Sequence, residues 1–330
     1  MTLHTRGAVR RRKATLRLQR TAAIVVPRTL TAGRVTEIAA FGSNPGDLRM
    51  LVYEPERRLP ANAPLIVVLH GCGQEAAAFA AQTGWVALAD KLGAALLLPE
   101  QKQTNSRGRC FNWYQLGDVR RGRGEALSIR QMISAATKRY HSDRRRVFIV
   151  GLSAGGAMAG AMMAAYPSVF RAGAIVAGMP VGAAQSLTMA MLRMQQAEPF
   201  KGRASLADAV RRSAPAHIVH AWPRVSIWHG SDDRVIDPAN ATLLAAQWSE
   251  VHGLAESDGV AETPFVVPGI QRRTWGTARR TAVELWTIDG MGHGFPIDPQ
   301  HEDGTETAFA VVDAGVAATH EIARFWGLTP

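Results

Sequence analysis

From Leu48 onward the chain alternates between short apolar runs and longer amphipathic stretches. Leu48–Glu54 alternates like a strand, and Leu65–Leu69 is continuously apolar up to His70-Gly71. Similar runs follow at Ala94–Leu98, closed by Pro99, at Arg146–Val150, closed by Gly151, and at Ala174–Ala177, closed by Gly178. Val225–Trp228 and Val283–Ile288 complete the set, stopping at His229-Gly230 and Asp289-Gly290. Short apolar runs bounded by Gly or Pro suit strands buried on both faces of a parallel sheet. Between them the pattern predicts helices over Ala76–Lys91, Gly124–Tyr140, Ala154–Ala165 and Pro238–His252. The alternation predicts an α/β domain, with a mostly parallel central sheet and helices on both faces.

Two stretches break the alternation. Residues 179–223 are rich in Met, Ala and Gln and predict a small helical insertion between two strands, placed to cap a ligand site. Residues 253–282 predict an irregular excursion or a hairpin. Residues 1–36 read as a leader, leaving 37–330 as a single catalytic domain.

Charge sharpens that boundary. The leader holds nine basic side chains (Arg6, Arg10, Arg11, Arg12, Lys13, Arg17, Arg20, Arg28 and Arg34) and no acid, so the net charge of +11 falls to +2 once these nine are set aside. A basic tail on a nearly neutral body is expected to be solvated and disordered rather than a nucleic-acid site. No run of 18 apolar residues predicts a membrane span. Thr21–Val26 is too short for the apolar core of a secretion signal, so the chain as written reads as unsecreted.

The chemistry lies in three places. Gly151-Leu152-Ser153-Ala154-Gly155 follows an apolar strand and opens a helical run, the setting in which a G-x-S-x-G turn lifts a serine above a sheet edge. Serine needs a base held by an acid, in the chain order Ser, Asp or Glu, His. The segment after Val225–Trp228 offers Asp232 and Asp233, and spacing from His229-Gly230 selects Asp233. The segment after Val283–Ile288 offers His293 between Gly292 and Gly294. Asp289 reads as a turn residue. His70 and His229 both precede glycine at strand ends and read as structural hydrogen-bonding residues. The loop His70-Gly71-Cys72-Gly73-Gln74 follows an early strand, so the Cys72 N–H is expected to join the Ala154 N–H in an oxyanion hole. No His, Cys and acid spacing points to a metal, and no cofactor is expected.

Together with Arg109-Cys110-Phe111-Asn112-Trp113, these motifs resemble the polyhydroxybutyrate-depolymerase-type esterases, over about residues 38 to 328. The resemblance implies an α/β-hydrolase fold and a Ser153, His293 and Asp233 triad acting on a small or oligomeric ester. Hydroxyalkanoate, feruloyl, acetyl-xylan and general short-acyl esters are the candidates, against a non-catalytic binding protein on the same fold. It further implies a Cys72–Cys110 disulfide, the alternative being two buried thiols, and it places Trp113 and Trp222 nearest the pocket, with core packing as the alternative for each. Export is usual in the family, against the unsecreted reading of the N-terminus. Glu125 reads as capping its helix or pairing with a neighbouring arginine. Relatives often carry another cysteine pair where this chain has Gly182-Ala183-Ala184 and Ala190-Met191, and secreted depolymerases add a polymer-binding domain beyond the point matching Pro330. Both departures argue against strong action on crystalline polymer. Oligomeric state is not legible.

Overall fold

The computed structural model describes residues 35–329 apart from 57, 199–201, 220, 263–267, 278–279 and 303–304. Residues 1–34 of the expected leader lie outside this set, whereas Val35 and Thr36 belong to an edge strand, β1 (Val35–Glu37). The first half of the chain adds β2 (Arg49–Tyr53), β3 (Leu65–Leu69), α1 (Ala76–Gln82), α2 (Trp85–Leu92), β4 (Ala95–Glu100), α3 (Leu116–Val119) and α4 (Gly124–Tyr140). Next come β5 (Val147–Leu152), α5 (Ala154–Ala165), β6 (Ala172–Val176), α6 (Leu187–Gln195), α7 (Arg203–Arg211), β7 (Arg224–Gly230) and α8 (Ala239–Val251). The chain closes with β8 (Val260–Glu262), β9 (Ile270–Thr277), β10 (Arg280–Ile288), β11 (Phe295–Ile297), β12 (Val311–Asp313) and α9 (Ala318–Trp326).

Among the described residues, ten strands form one sheet in the order β1-β2-β4-β3-β5-β6-β7-β10-β9-β8. The six from β4 to β10 are parallel, and antiparallel strands extend both edges. Alternate residues of β3 feed two cores. Leu65, Val67 and Leu69 face α4, α5 and α8, while Ile66 and Val68 face α1, α2 and α9. This is the doubly covered sheet that the continuous apolar runs require.

Two elements differ from the sequence reading, and a third takes one of the two forms it allowed. The expected helix Ala76–Lys91 is two helices, because Gly84 takes φ +79° where a Cβ would lie 2.9 Å from Thr305 Cγ2. Pro99 does not close its strand; it lies opposite Met50 of β2 within β4. The stretch before β10 takes the hairpin form: β9 pairs antiparallel with β10 from Ile270 to Thr277 and continues the sheet. The helical insertion divides its work: α7 sends Leu206, Ala207 and Val210 inward, and Gln247 of α8 bonds the backbone of Val181 and Leu206. The end of α6 instead docks on the loop after β7, where Asp237 N–H donates to Met194 O (2.7 Å) and Ala197 N–H to Asp237 Oδ2 (2.9 Å).

Candidate active site

Ser153 occupies the turn between β5 and α5, with φ +57° and ψ −120°. A non-glycine residue held there stores about 1–3 kcal/mol of strain, tolerated only where the surroundings over-determine it. Here Ser153 N–H donates to Val176 O (2.9 Å), and Ser153 O accepts from Ala157 N–H (2.9 Å). Gly151 and Gly155 make the turn possible. A Cβ on Gly151 would lie 2.2 Å from Gly155 O, and one on Gly155 would lie 2.4 Å from both Leu69 O and His70 O. Close approach of α5 to the end of β3 therefore brings the serine beside the loop that follows Leu69.

That loop is fixed by neutral groups. Gln101 N–H donates to His70 Nε2 (3.1 Å), which makes Nε2 the acceptor and leaves the ring proton on Nδ1, bonded to Gly71 O (2.7 Å). Burial pushes the His70 pKa down and keeps the ring uncharged. In a trans peptide the carbonyl and the following N–H point opposite ways, so holding Gly71 O turns the Cys72 N–H away from His70. Among the described residues, neither the Cys72 nor the Ala154 N–H donates to a backbone acceptor. Cys72 is disulfide-bonded to Cys110, and Gly73 N–H donates to Gly108 O (2.8 Å), so two crosslinks tie the loop to the 106–113 segment.

Asp233 lies in the loop after β7 with its carboxylate fully buried. Oδ1 accepts from the N–H groups of Val235 (2.8 Å) and Ile236 (2.9 Å). Oδ2 faces two histidines, His293 Nδ1 at 2.8 Å and His229 Nε2 at 3.0 Å. Burial opposes the charge, but the bonds from His229, His293 and Ile236 outweigh it and hold this carboxyl well below the usual carboxylate range. His293 follows β10, which pairs in parallel with β7. Gly230 brings the two loops together: a Cβ there would lie 2.1 Å from Met291 O. Asp232 instead lies outside this contact, its N–H donating to Met291 O (3.0 Å).

Two residues depart from expectation. Glu125 pairs with no arginine among its described hydrogen bonds: it accepts from Asn112 N–H (2.9 Å) and Gln101 Nε2 (2.5 Å) inside the protein, where burial pushes its pKa up to about 8. Trp222 precedes β7 at the amino edge of the sheet, where it meets Trp248 edge-on (6.5 Å) and packs on the core; Ser153 follows β5 at the opposite edge. Trp113 differs, packing with Met179 and with Ala157 and Ile236, which closely follow Ser153 and Asp233 in sequence. The contact of His229 with Asp233 was missed in the sequence, although the His-Gly-x-x-Asp spacing carried the signal. Among the described residues, no group of three or more His, Cys, Asp or Glu is arranged to hold a metal, and no helix is long and apolar enough to cross a membrane.

Comparison with known proteins identifies the family. The profile of the family described as Esterase PHB depolymerase matches residues 48–265. Poly(3-hydroxyalkanoate) depolymerase C of Paucimonas lemoignei is 39% identical over 298 residues, covering 89% of this chain and 70% of that protein. An acetylxylan esterase of Coprinopsis cinerea is 30% identical, covering 84% of this chain and 72% of its own. Among solved structures, the acetyl xylan esterase from Aspergillus awamori superposes with a TM-score of 0.76 at 22% identity, covering 90% of this chain and 100% of that one, a likeness of fold. The fold is the α/β-hydrolase fold, and the chain belongs to the Esterase PHB depolymerase family of ester-hydrolysing enzymes.

Proposed function

We propose that Ser153, His293 and Asp233 form the catalytic triad of a serine esterase, with the Cys72 and Ala154 N–H groups as its oxyanion hole. The observation that carries this reading is the 2.8 Å contact between His293 Nδ1 and the buried, ionised Asp233, at the sheet edge where Ser153 sits in a strained turn. With Nδ1 committed to Asp233, His293 Nε2 is the nitrogen left to take the Ser153 proton. Ser153 Oγ attacks the ester carbonyl, and the two N–H groups stabilise the oxyanion. Collapse of the intermediate expels the alcohol, which leaves with the proton held by His293. Water, deprotonated by the same nitrogen, then releases the acid and restores the serine.

For the substrate we propose a short-chain hydroxyalkanoate ester or oligomer. Beside the Asp233 loop, α6 exposes Leu187, Met189, Met191 and Leu192, with Met191 61% accessible. Phe309, 74% accessible, lies against Gly73 of the oxyanion loop. Apolar side chains left in water on both sides of the site fit an apolar polyester chain better than a sugar-borne ester. Relatives named acetylxylan esterase and feruloyl esterase B keep an acetylated or feruloylated carbohydrate as the second reading.

Hydrolysis of p-nitrophenyl butyrate, methyl ferulate and a polyhydroxybutyrate suspension, with Ser153→Ala as control, tests both steps. Ser153→Ala is expected to lower kcat by roughly 10⁴-fold or more. Release of hydroxybutyrate by wild type supports the substrate class, while cleavage of ferulate alone moves it to the second reading. Activity that survives Ser153→Ala sinks the triad, and a wild type inert on every ester leaves a binding protein.

A further inference from the structure

The edge of the sheet opposite Ser153 gathers like charge instead of pairing it. Strands β5, β6, β7 and β10 are parallel neighbours. Arg146 immediately precedes β5, Arg171 immediately precedes β6, Arg224 opens β7 and Arg280 opens β10. Neighbouring strands lie about 4.8 Å apart, so the topology alone sets four guanidinium-bearing positions in a row. With Arg145 they line a cavity of about 620 Å³.

Among the described residues, five cations share this cavity with one carboxylate, Asp143, whose Oδ1 already accepts the Arg145 N–H (2.8 Å). Among the described residues, none of the five makes an ion pair. Nor do they neutralise helix ends; Arg121 and Arg211 do that, at Ala165 O and Glu250 O. Arg224 lies over the Phe325 ring (4.7 Å), and Arg146 donates to Asn62 O (3.4 Å). Burial first, and then Arg280 and Arg171, push the Arg224 pKa down to about 10, against the opposing pull of Glu284. Outside the first 36 residues the net charge is only +2, so this excess is a matter of placement, not composition.

We propose that this cavity is a binding site for a small oligophosphate, an anion carrying three or more negative charges on linked phosphates. Guanidinium forks match phosphate oxygens in pairs, and several linked phosphates satisfy several strand-end arginines at once, which a single phosphate does not. The cavity volume falls within the roughly 300–1,000 Å³ of small-ligand pockets, which favours a compact anion over a duplex backbone. The site is independent of the esterase reading, because it lies at the other end of the same strands.

The test is calorimetric titration of tripolyphosphate into the full chain at constant ionic strength. Wild type is expected to bind saturably, and R224Q/R280Q at least tenfold more weakly, with ester hydrolysis unchanged in both. Exposed Arg171→Gln, which leaves the core untouched, is expected to weaken binding as well. Orthophosphate at equal phosphate concentration is expected not to compete. The basic leader is the same in all these proteins, so affinity unchanged in both variants assigns the binding to it and overturns the proposal. Non-saturating binding, or preference for duplex DNA at equal phosphate, overturns it too.

Discussion

His70 and His229 stand in the same local sequence, His-Gly at the end of a buried parallel strand, and the fold builds them into electrically different networks. His70 belongs to a neutral chain of hydrogen bonds that runs from Glu125 through Gln101 to the ring and on to the Gly71 carbonyl. His229 belongs to a charged one, its Nε2 shared between Asp233 Oδ2 (3.0 Å) and Ile236 O (3.1 Å). Both partners of that nitrogen are acceptors, so it carries the proton and the ring acts as a donor. In the proposed mechanism the first network fixes a peptide plane beside the serine, where charge develops only during reaction, and the second fixes a carboxylate that is charged throughout. The difference between the two is set by neighbours rather than by the local sequence.

The charged side is expected to be the more fragile. Asp233→Asn keeps the shape but gives His293 an amide in place of an anion, and kcat is expected to fall by roughly 10⁴-fold with KM little changed. A fall of less than tenfold would mean that Asp233 does not hold the base. His229→Phe removes one donor from the same carboxylate while filling the space of the ring. Loss of one hydrogen bond to a charged group costs about 1.5–3 kcal/mol, so kcat is expected to drop by roughly 10- to 100-fold. Because Asp233 then loses a bond to its ionised form, its pKa rises, and the acid limb of the kcat profile is expected to move to higher pH. A packing role alone would lower stability and leave that limb in place.

On the neutral side, His70→Phe leaves the Gln101 N–H and the Gly71 carbonyl without their ring partner. The expected result is a lower Tm and a smaller loss of kcat, about tenfold, with the pH profile unmoved. The disulfide and the Gly73 to Gly108 bond still hold the loop, which is why the effect is smaller. A shifted acid limb in His70→Phe would erase the contrast between the two histidines.

This contrast also marks how far the sequence could be read. Strand β3 and helices α4 and α5 were legible to the residue, because their apolar runs end at Gly, Tyr or a turn that the pattern already contains. The contact of Asp233 with His293 was legible because each follows a strand in a fixed chain order. The break at Thr83-Gly84 was not, since it depends on Thr305, more than 200 residues away. Trp222 was misplaced for a similar reason: a tryptophan beside a motif looks the same at either end of a strand, and only the direction of β7 tells which edge it joins. Charge state was the least legible of all. Glu125 follows a run of arginines in sequence, yet its carboxylate turns inward to an amide and a backbone N–H.

Glu125 gives the smallest and most specific test. Burial raises its pKa to about 8, against 4.5 for the group in water. Between those values the unfolded chain releases a proton that the folded chain keeps, so this residue draws stability down as pH rises from about 4.5 to about 8. Glutamine carries the shape and neutrality of the protonated acid without the proton. The Tm of Glu125→Gln minus that of wild type is therefore expected to become more positive across this window, and to level off above it. Activity below pH 6 is expected to stay within a few-fold of wild type, because there both side chains are neutral. A Tm difference independent of pH would mean that Glu125 is ionised in the folded protein, and the chain from Glu125 to the oxyanion loop would then be charged like the one around Asp233.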